Sequence, residues 1–312
     1  MNVSRSNHQP QQATNQINTN ISMIAAPKLI LANNQPIKAV LIDISGTIHV
    51  GSKAIPGAID ACRKLFKYKN QLKVLFLTNT SMVSSETLLN QLREMGFDES
   101  CIPNRDAIVT SIDATRQYLM QNALRPYCLV EDDLIEKDFI GVAMDDPNCV
   151  LVGLSPSKLN YNKLNGAFRL LSKLKEHDGR EKPSLLAIHR ANYYCDADQN
   201  LSLGPGGFVS LLEQTAGVNA HVVGKPSRAF YHAALSYLEI DDPCSAVMVG
   251  DDVVGDVKGA LGAGFGAAIL VKTGKYRTGD ELGCKTEGMS PTLTLASIHE
   301  AVECICSNIN KG

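Results

Sequence analysis

Asp43 opens the run Asp43-Ile44-Ser45-Gly46-Thr47, directly after the apolar residues Ala39-Val40-Leu41-Ile42. A carboxylate at the carboxyl end of a buried strand, followed by a glycine turn, can serve as a nucleophile or a metal ligand. The pentapeptide alone equally suits an Asx-type turn with no chemistry. Its companions favour chemistry. Gly250-Asp251-Asp252, followed by Asp256, sets three carboxylates near a second strand end, and Lys225 stands in Val223-Gly224-Lys225-Pro226 at a third. Two strand-end aspartates can hold Mg²⁺, which takes oxygen ligands and keeps several waters. A lysine beside them can offset phosphoryl charge.

The elements that must position these groups are visible as short apolar runs with polar endings. Ala39-Val40-Leu41-Ile42 stops at Asp43, Val74-Leu75-Phe76-Leu77 at Thr78-Asn79, Val222-Val223 at Gly224-Lys225, and Val247-Met248-Val249 at Gly250-Asp251. Continuous apolar strands of this kind fit a parallel sheet covered on both faces. Helical patterns lie between them: Ile59, Cys62, Leu65 and Phe66 share one face, and Leu88, Leu89, Leu92 and Met95 share another before Gly96. Strand alternating with helix is the α/β signature. Ligands of such a sheet bind outside the carboxyl ends of its strands, so the pattern gathers Asp43, Thr78, Asn79, Lys225 and Asp251 into one crevice.

Residues 118–222 carry their own apolar runs, at 128–130, 150–152 and 185–188, and a helix pattern through Leu164, Ala167, Phe168, Leu171 and Leu174. They read as a second α/β unit inserted into the first. Turn formers at 122–126 and 216–220 suit its entry and exit. The expected division is a disordered tail over 1–36, a core over 37–117 and 223–312, and the inserted unit over 118–222. The tail expectation rests on composition: residues 1–22 hold five Asn and four Gln, too little apolar surface to offset ordering entropy.

With 30 Lys+Arg against 32 Asp+Glu the net charge is -2, so no basic field exists to hold nucleic acid or an acidic membrane. No apolar run approaches the roughly 18 residues of a membrane span. Nine cysteines lack zinc spacing and read as reduced thiols. A cytoplasmic location is expected. The tail, in which Arg5 and Lys28 stand and the first acidic residue is still to come at Asp43, leaves organelle import as the alternative.

Asp43 at its strand end, Thr78-Asn79, Lys225 in Val-Gly-Lys-Pro and Val249-Gly250-Asp251-Asp252 resemble, in order, the four motifs of the haloacid dehalogenase superfamily. The likeness runs from about Lys38 to the C-terminus and takes in residues 42–49, 187–194, 203–208 and 271–277. It implies a doubly wound parallel-sheet, Rossmann-like core with an inserted α/β cap of C2 type. It further implies a phosphatase acting on a small phosphorylated molecule, with Asp43 attacking phosphorus to form an aspartyl-phosphate. Mg²⁺ would be held by Asp43, Asp251 and the backbone carbonyl of Ser45, while Thr78 and Asn79 bind phosphoryl oxygens and Lys225 offsets their charge. Asp256 would partner Lys225 or a metal-bound water, with Asp252 a lesser candidate for the same role. The cap would close over the site and select substrate, and a homodimer through the cap is a further implication.

One position departs from the superfamily pattern. Phosphatases of the group generally carry Asp two residues after the nucleophile, where it protonates the leaving group; here it is Ser45. A missing acid costs about 100- to 10,000-fold. A phosphate-binding or scaffolding protein on the same fold is therefore the alternative reading. Gly259, Gly262, Gly264 and Gly266 fail the dinucleotide spacing and read as close helix packing. Glu131-Asp132-Asp133 reads as a solvated loop, and His49 and His189 as structural hydrogen-bonding residues.

Overall fold

The computed structural model describes residues 29–31, 35–176, 182–198, 200–282 and 288–309. In chain order its first elements are β1 (Ala39–Ile42), β2 (His49–Val50), β3 (Lys53–Ala54), α1 (Ala58–Phe66), β4 (Lys73–Thr78), α2 (Ser85–Glu94), β5 (Ile108–Thr110) and α3 (Ser111–Gln121). Then come β6 (Pro126–Leu129), α4 (Asp132–Lys137), β7 (Cys149–Val152), α5 (Tyr161–Lys175), β8 (Leu185–Ala187), β9 (Tyr193–Cys195), β10 (Leu201–Leu203), α6 (Gly206–Ala216) and β11 (Ala220–Val222). The chain closes with α7 (Arg228–Tyr237), β12 (Ala246–Gly250), α8 (Gly259–Gly262), β13 (Ala267–Val271), β14 (Leu293–Leu295) and α9 (Ile298–Ile309).

Six strands form one sheet in the order β14-β13-β12-β1-β4-β5, every neighbouring pair parallel. Both faces are covered, as the unbroken apolar runs require. Val40 and Ile42 of β1 enter the cluster shared with α1, α2 and α9, whereas Ala39 and Leu41 enter the opposite cluster with α7 and α8. Register sets the site. Ile42 is level with Val249 on one side and Phe76 on the other, so Asp43, Thr78 and Asp251 emerge at the same edge. The fold is the doubly wound α/β class expected.

A second, four-stranded parallel sheet, β11-β8-β7-β6, is built between β5 and α7. The expected boundary at residue 118 falls inside α3, which supplies Ile112 and Leu119 to the core beneath this second sheet. Helix α3 thus packs with the inserted unit from its first turn. A larger correction concerns Lys225. Its strand, β11, pairs with β8 in the inserted sheet rather than joining the main one, and the lysine reaches the crevice on the loop from β11 to α7. Glu131 and Asp133 are not a solvated loop either. Glu131 accepts from the hydroxyls of Ser155 at 2.9 Å and Ser157 at 2.6 Å, and Asp133 accepts from the Ser84 backbone N–H at 2.9 Å. Gly259 does serve close packing, since a Cβ there would lie 2.7 Å from the Tyr231 ring.

Most of the expected tail, residues 1–28 and 32–34, lies outside the described residues. Its described part corrects the boundary: Leu29 and Leu31 are both 4% exposed and pack in the α1/α2/α9 cluster. Two such side chains contribute about 1.5–3 kcal/mol each on burial. A truncation removing residues 1–31 should therefore melt several degrees below one removing residues 1–28, at roughly 2–4 °C per kcal/mol. Scanning calorimetry on the pair checks this, and equal melting temperatures would contradict it. The eight described cysteines form no disulfide with one another. Among the described residues no helix is long and apolar enough to cross a membrane.

Candidate active site

Asp43 leaves β1 with its side chain 8% exposed. The turn that follows is possible only with glycine. Gly46 has φ +91°, and a Cβ on it would sit 2.1 Å from Asp251 Oδ2. The loop of Asp43 and the end of β12 are thereby brought into contact. Thr273, just past β13, ties the same turn by donating its hydroxyl to the Gly46 carbonyl at 2.6 Å.

Lys225 reaches Asp43 Oδ1 at 2.5 Å, Asp256 Oδ1 at 2.7 Å and the Leu77 carbonyl at 2.9 Å, so its ammonium makes three bonds to acceptors. Burial alone would lower its pKa, but the Asp256 and Asp43 carboxylates outweigh that and hold it protonated. Asp43 Oδ2 accepts from the Thr47 hydroxyl at 3.2 Å. Each carboxylate oxygen has two lone-pair directions, so both keep capacity for a further partner.

Thr78 is buried, and its Oγ1 lies 2.9 Å from Thr80 Oγ1, which is 3.0 Å from Ser45 Oγ. These hydroxyls form a strip beside the nucleophile. Asn79, expected on the phosphoryl group, lines the same cavity as Asp43 and Thr78. Its Nδ2 donates to the Lys225 carbonyl and its Oδ1 accepts from the Lys225 N–H, each at 2.9 Å. Asn79 thus clamps the loop that delivers the lysine.

Asp251, Asp256 and Asp43 each offer a carboxylate oxygen within 4.8 Å of the others, all three residues being buried. Burial, and next the Asp43 charge, push the Asp251 carboxyl well above the usual range. Burial pushes Asp256 up to about 7, Lys225 opposing the rise and Asp43 adding to it. Asp251 Oδ2 accepts the Lys275 backbone N–H at 2.8 Å. A crowded, buried, all-oxygen donor set of this kind suits a hard divalent cation. Asp256 accepts from Lys225 and from the Asp252 N–H at 3.0 Å and, like Asp43, keeps a spare lone pair on each oxygen, so all three carboxylates can contribute to such an ion. Asp252 does not approach Lys225; it pairs with Lys275 at 2.5 Å and caps the turn at Val254.

Lys275, Thr273 and Thr80 were not singled out from the sequence. Lys275 and Thr273 follow β13, whose apolar run Ala267-Ala268-Ile269-Leu270-Val271 has the same form as β1. The strand-end rule applied there would have found them. Asp43, Ser45, Thr78, Asn79, Lys225, Asp251, Asp252 and Asp256 all line one cavity of about 320 Å³, walled on its far side by residues of the inserted unit that include Leu154, His189 and Tyr193.

A carboxylate and a lysine converging at the strand ends of a parallel sheet, under an inserted α/β unit, define a hydrolase of haloacid dehalogenase type. Residues 40–139 match the family of haloacid dehalogenase-like hydrolases and residues 222–301 match HAD-hydrolase-like proteins, so the chain belongs to the haloacid dehalogenase-like hydrolases. It is 42% identical over 279 residues to haloacid dehalogenase-like hydrolase domain-containing protein 2 of Bos taurus, covering 89% of this chain and 100% of that one. Phospholysine phosphohistidine inorganic pyrophosphate phosphatase of Danio rerio is 38% identical over 249 residues, or 78% of this chain and 86% of that one. The fold also resembles glycerol phosphate phosphatase of Mycobacterium tuberculosis, solved in complex with magnesium, with TM-score 0.68 and 22% identity over 85% of this chain and 76% of that one.

Proposed function

We propose that the chain is a Mg²⁺-dependent phosphohydrolase acting on small phosphorylated molecules through an aspartyl-phosphate at Asp43. The observation that carries this reading is the buried Asp43 carboxylate, held by Lys225 at 2.5 Å and opening with Thr78 and Asp251 into the same cavity. A phosphoryl group seated against the Thr78 and Thr80 hydroxyls would present phosphorus to an Asp43 oxygen. Attack forms the aspartyl O–P bond as the bond to the leaving group breaks, and water then cleaves the acyl phosphate to release phosphate and restore Asp43. Lys225 fixes the carboxylate and offsets phosphoryl charge. Asp43 and Asp251 would hold Mg²⁺, which when bound would supply further positive charge at the phosphoryl oxygens. The acidic cluster supports the ion, and so does the magnesium in the mycobacterial fold neighbour.

Ser45 shapes the substrate range. It is exposed, and its hydroxyl faces Thr80; serine cannot act as an acid near neutral pH. Substrates whose leaving groups need no proton should therefore be preferred. The Danio rerio relative is named for phospholysine, phosphohistidine and inorganic pyrophosphate, none of which is an alkyl ester. Aryl phosphates, acyl phosphates, pyrophosphate and phosphoramidates should outrun alkyl and sugar phosphates by roughly 100-fold or more. Ser45→Asp should narrow that gap by raising alkyl phosphate turnover. A leaving-group series under Mg²⁺ on both proteins is the test. A flat wild-type series would refute the role given to Ser45, and no turnover of any member alongside phosphate binding would favour the phosphate-binding alternative that Ser45 leaves standing.

A further inference from the structure

The segment that leaves β4 ties the site to the inserted unit within a few residues. Thr78 and Thr80 lie against Ser45, and Asn79 clamps Lys225. Ser81 then turns the other way. Its hydroxyl accepts the Leu154 N–H at 3.0 Å and lies 3.2 Å from His189 Nε2. Leu154 follows β7 and His189 follows β8, so the carboxyl ends of two neighbouring strands of the inserted sheet converge on one hydroxyl of the core.

The direction of these bonds can be read. His189 Nδ1 accepts the Ala191 N–H at 3.4 Å, so it carries no proton, and a neutral ring places its proton on Nε2, facing Ser81. Burial, with Lys275 next, lowers the imidazole to about 3, so the ring is neutral at ordinary pH. Ser81, Leu154 and His189 are buried, at 1%, 7% and 6% exposure. Removing Ser81 leaves the Leu154 N–H, and removing His189 leaves the Ser81 hydroxyl, short of a protein partner at largely buried positions. Three residues further on, the start of α2 meets the inserted unit again: Ser84 N–H donates to Asp133 at 2.9 Å and Ser85 N–H to Asp138 at 3.2 Å.

We infer that Ser81 and His189 are positioning residues that hold the inserted unit in its binding-competent pose over Asp43, coupling that pose to the Thr78–Asn79–Thr80 strip through the same stretch of backbone. The inference rests on the reading of that strip as the phosphoryl seat. Loosening the joint lowers the fraction of molecules competent to bind, and apparent affinity falls in proportion.

The experiment compares His189→Leu, which removes the donor, with His189→Gln, whose amide can reach the place of Nε2 and donate to Ser81. With 4-nitrophenyl phosphate and Mg²⁺, His189→Leu should raise KM about tenfold with kcat within about threefold, and His189→Gln should stay within about threefold of wild type in both. A histidine that serves stability alone would lower the melting temperature and leave KM alone. Hydrogen exchange gives a second readout that requires no turnover. In the ligand-free protein the Leu154 amide should be protected, and His189→Leu and Ser81→Ala should each speed its exchange at least tenfold, with His189→Gln close to wild type. Should His189→Leu not fold, Ser81→Ala carries the same KM and exchange comparison. Wild-type KM with unchanged Leu154 exchange in the disrupted variants, or equal damage from Gln and Leu, would overturn the inference. The expected exchange pattern in a protein that turns over no member of the leaving-group series would uphold the joint while refuting the phosphatase reading.

Discussion

Asp43→Asn is expected to reduce phosphate release by at least about a thousandfold, as loss of a covalent nucleophile does elsewhere, while leaving the melting temperature within a few degrees of wild type. The amide keeps the shape of the carboxylate and still offers Lys225 an acceptor, so the pairing of Lys225 with Asp256 at 2.7 Å survives. What is lost is the atom that bonds to phosphorus and one negative charge of the buried acidic cluster. Steady-state assays on the best substrate of the leaving-group series, beside circular dichroism, test both halves. Activity above a tenth of wild type would remove Asp43 from the nucleophile's role.

Lys225→Met should do more damage to the fold than any other single change in the site. Lys225 is 3% exposed and faces two carboxylates that are 8% and 1% exposed. Removing the ammonium leaves buried negative charge uncompensated, which costs about 3–5 kcal/mol and lowers the melting temperature on the order of 10 °C. Turnover should fall at least about a hundredfold with the loss of charge at the phosphoryl group. Adding Asp256→Asn to Lys225→Met should recover part of the lost stability, because it removes one of the stranded charges. Thermal melts of the two single variants and the double variant measure that coupling. Additive losses would mean that Lys225 and Asp256 act independently, contrary to their contact.

The residues most legible in the sequence are those whose strands are long and wholly apolar. Asp43 and Asp251 follow β1 and β12, every residue of which is buried, and a parallel sheet dictates where such endings lie. Lys225 was placed in the right crevice by a partly mistaken route. Its strand is three residues long and not fully buried, and nothing in Ala-His-Val states which of two parallel sheets it joins; the loop after it crosses back to the core. The clamp of Asn79 on the Lys225 backbone was equally hidden. An amide can serve a ligand or a neighbouring backbone, and no local pattern announces the approach of the β11–α7 loop. Leu29 and Leu31 escaped because two leucines, one on either side of Ile30, give too short a pattern to mark a docked segment. The joint at Ser81 and His189 joins residues 108 positions apart, and no local signal encodes it.

The central claim is that Asp43 carries the phosphoryl group during turnover. Its most direct test is to mix the enzyme with ³²P-labelled acetyl phosphate and Mg²⁺, quench in acid within milliseconds, and locate the label by peptide mass spectrometry. Because Ser45 supplies no strong base for hydrolysis of the acyl phosphate, the intermediate should accumulate. Hydroxylamine-labile label is expected on the peptide containing Asp43 and absent from Asp43→Asn. Steady phosphate release with no label on that peptide, or with label on another residue, would contradict it.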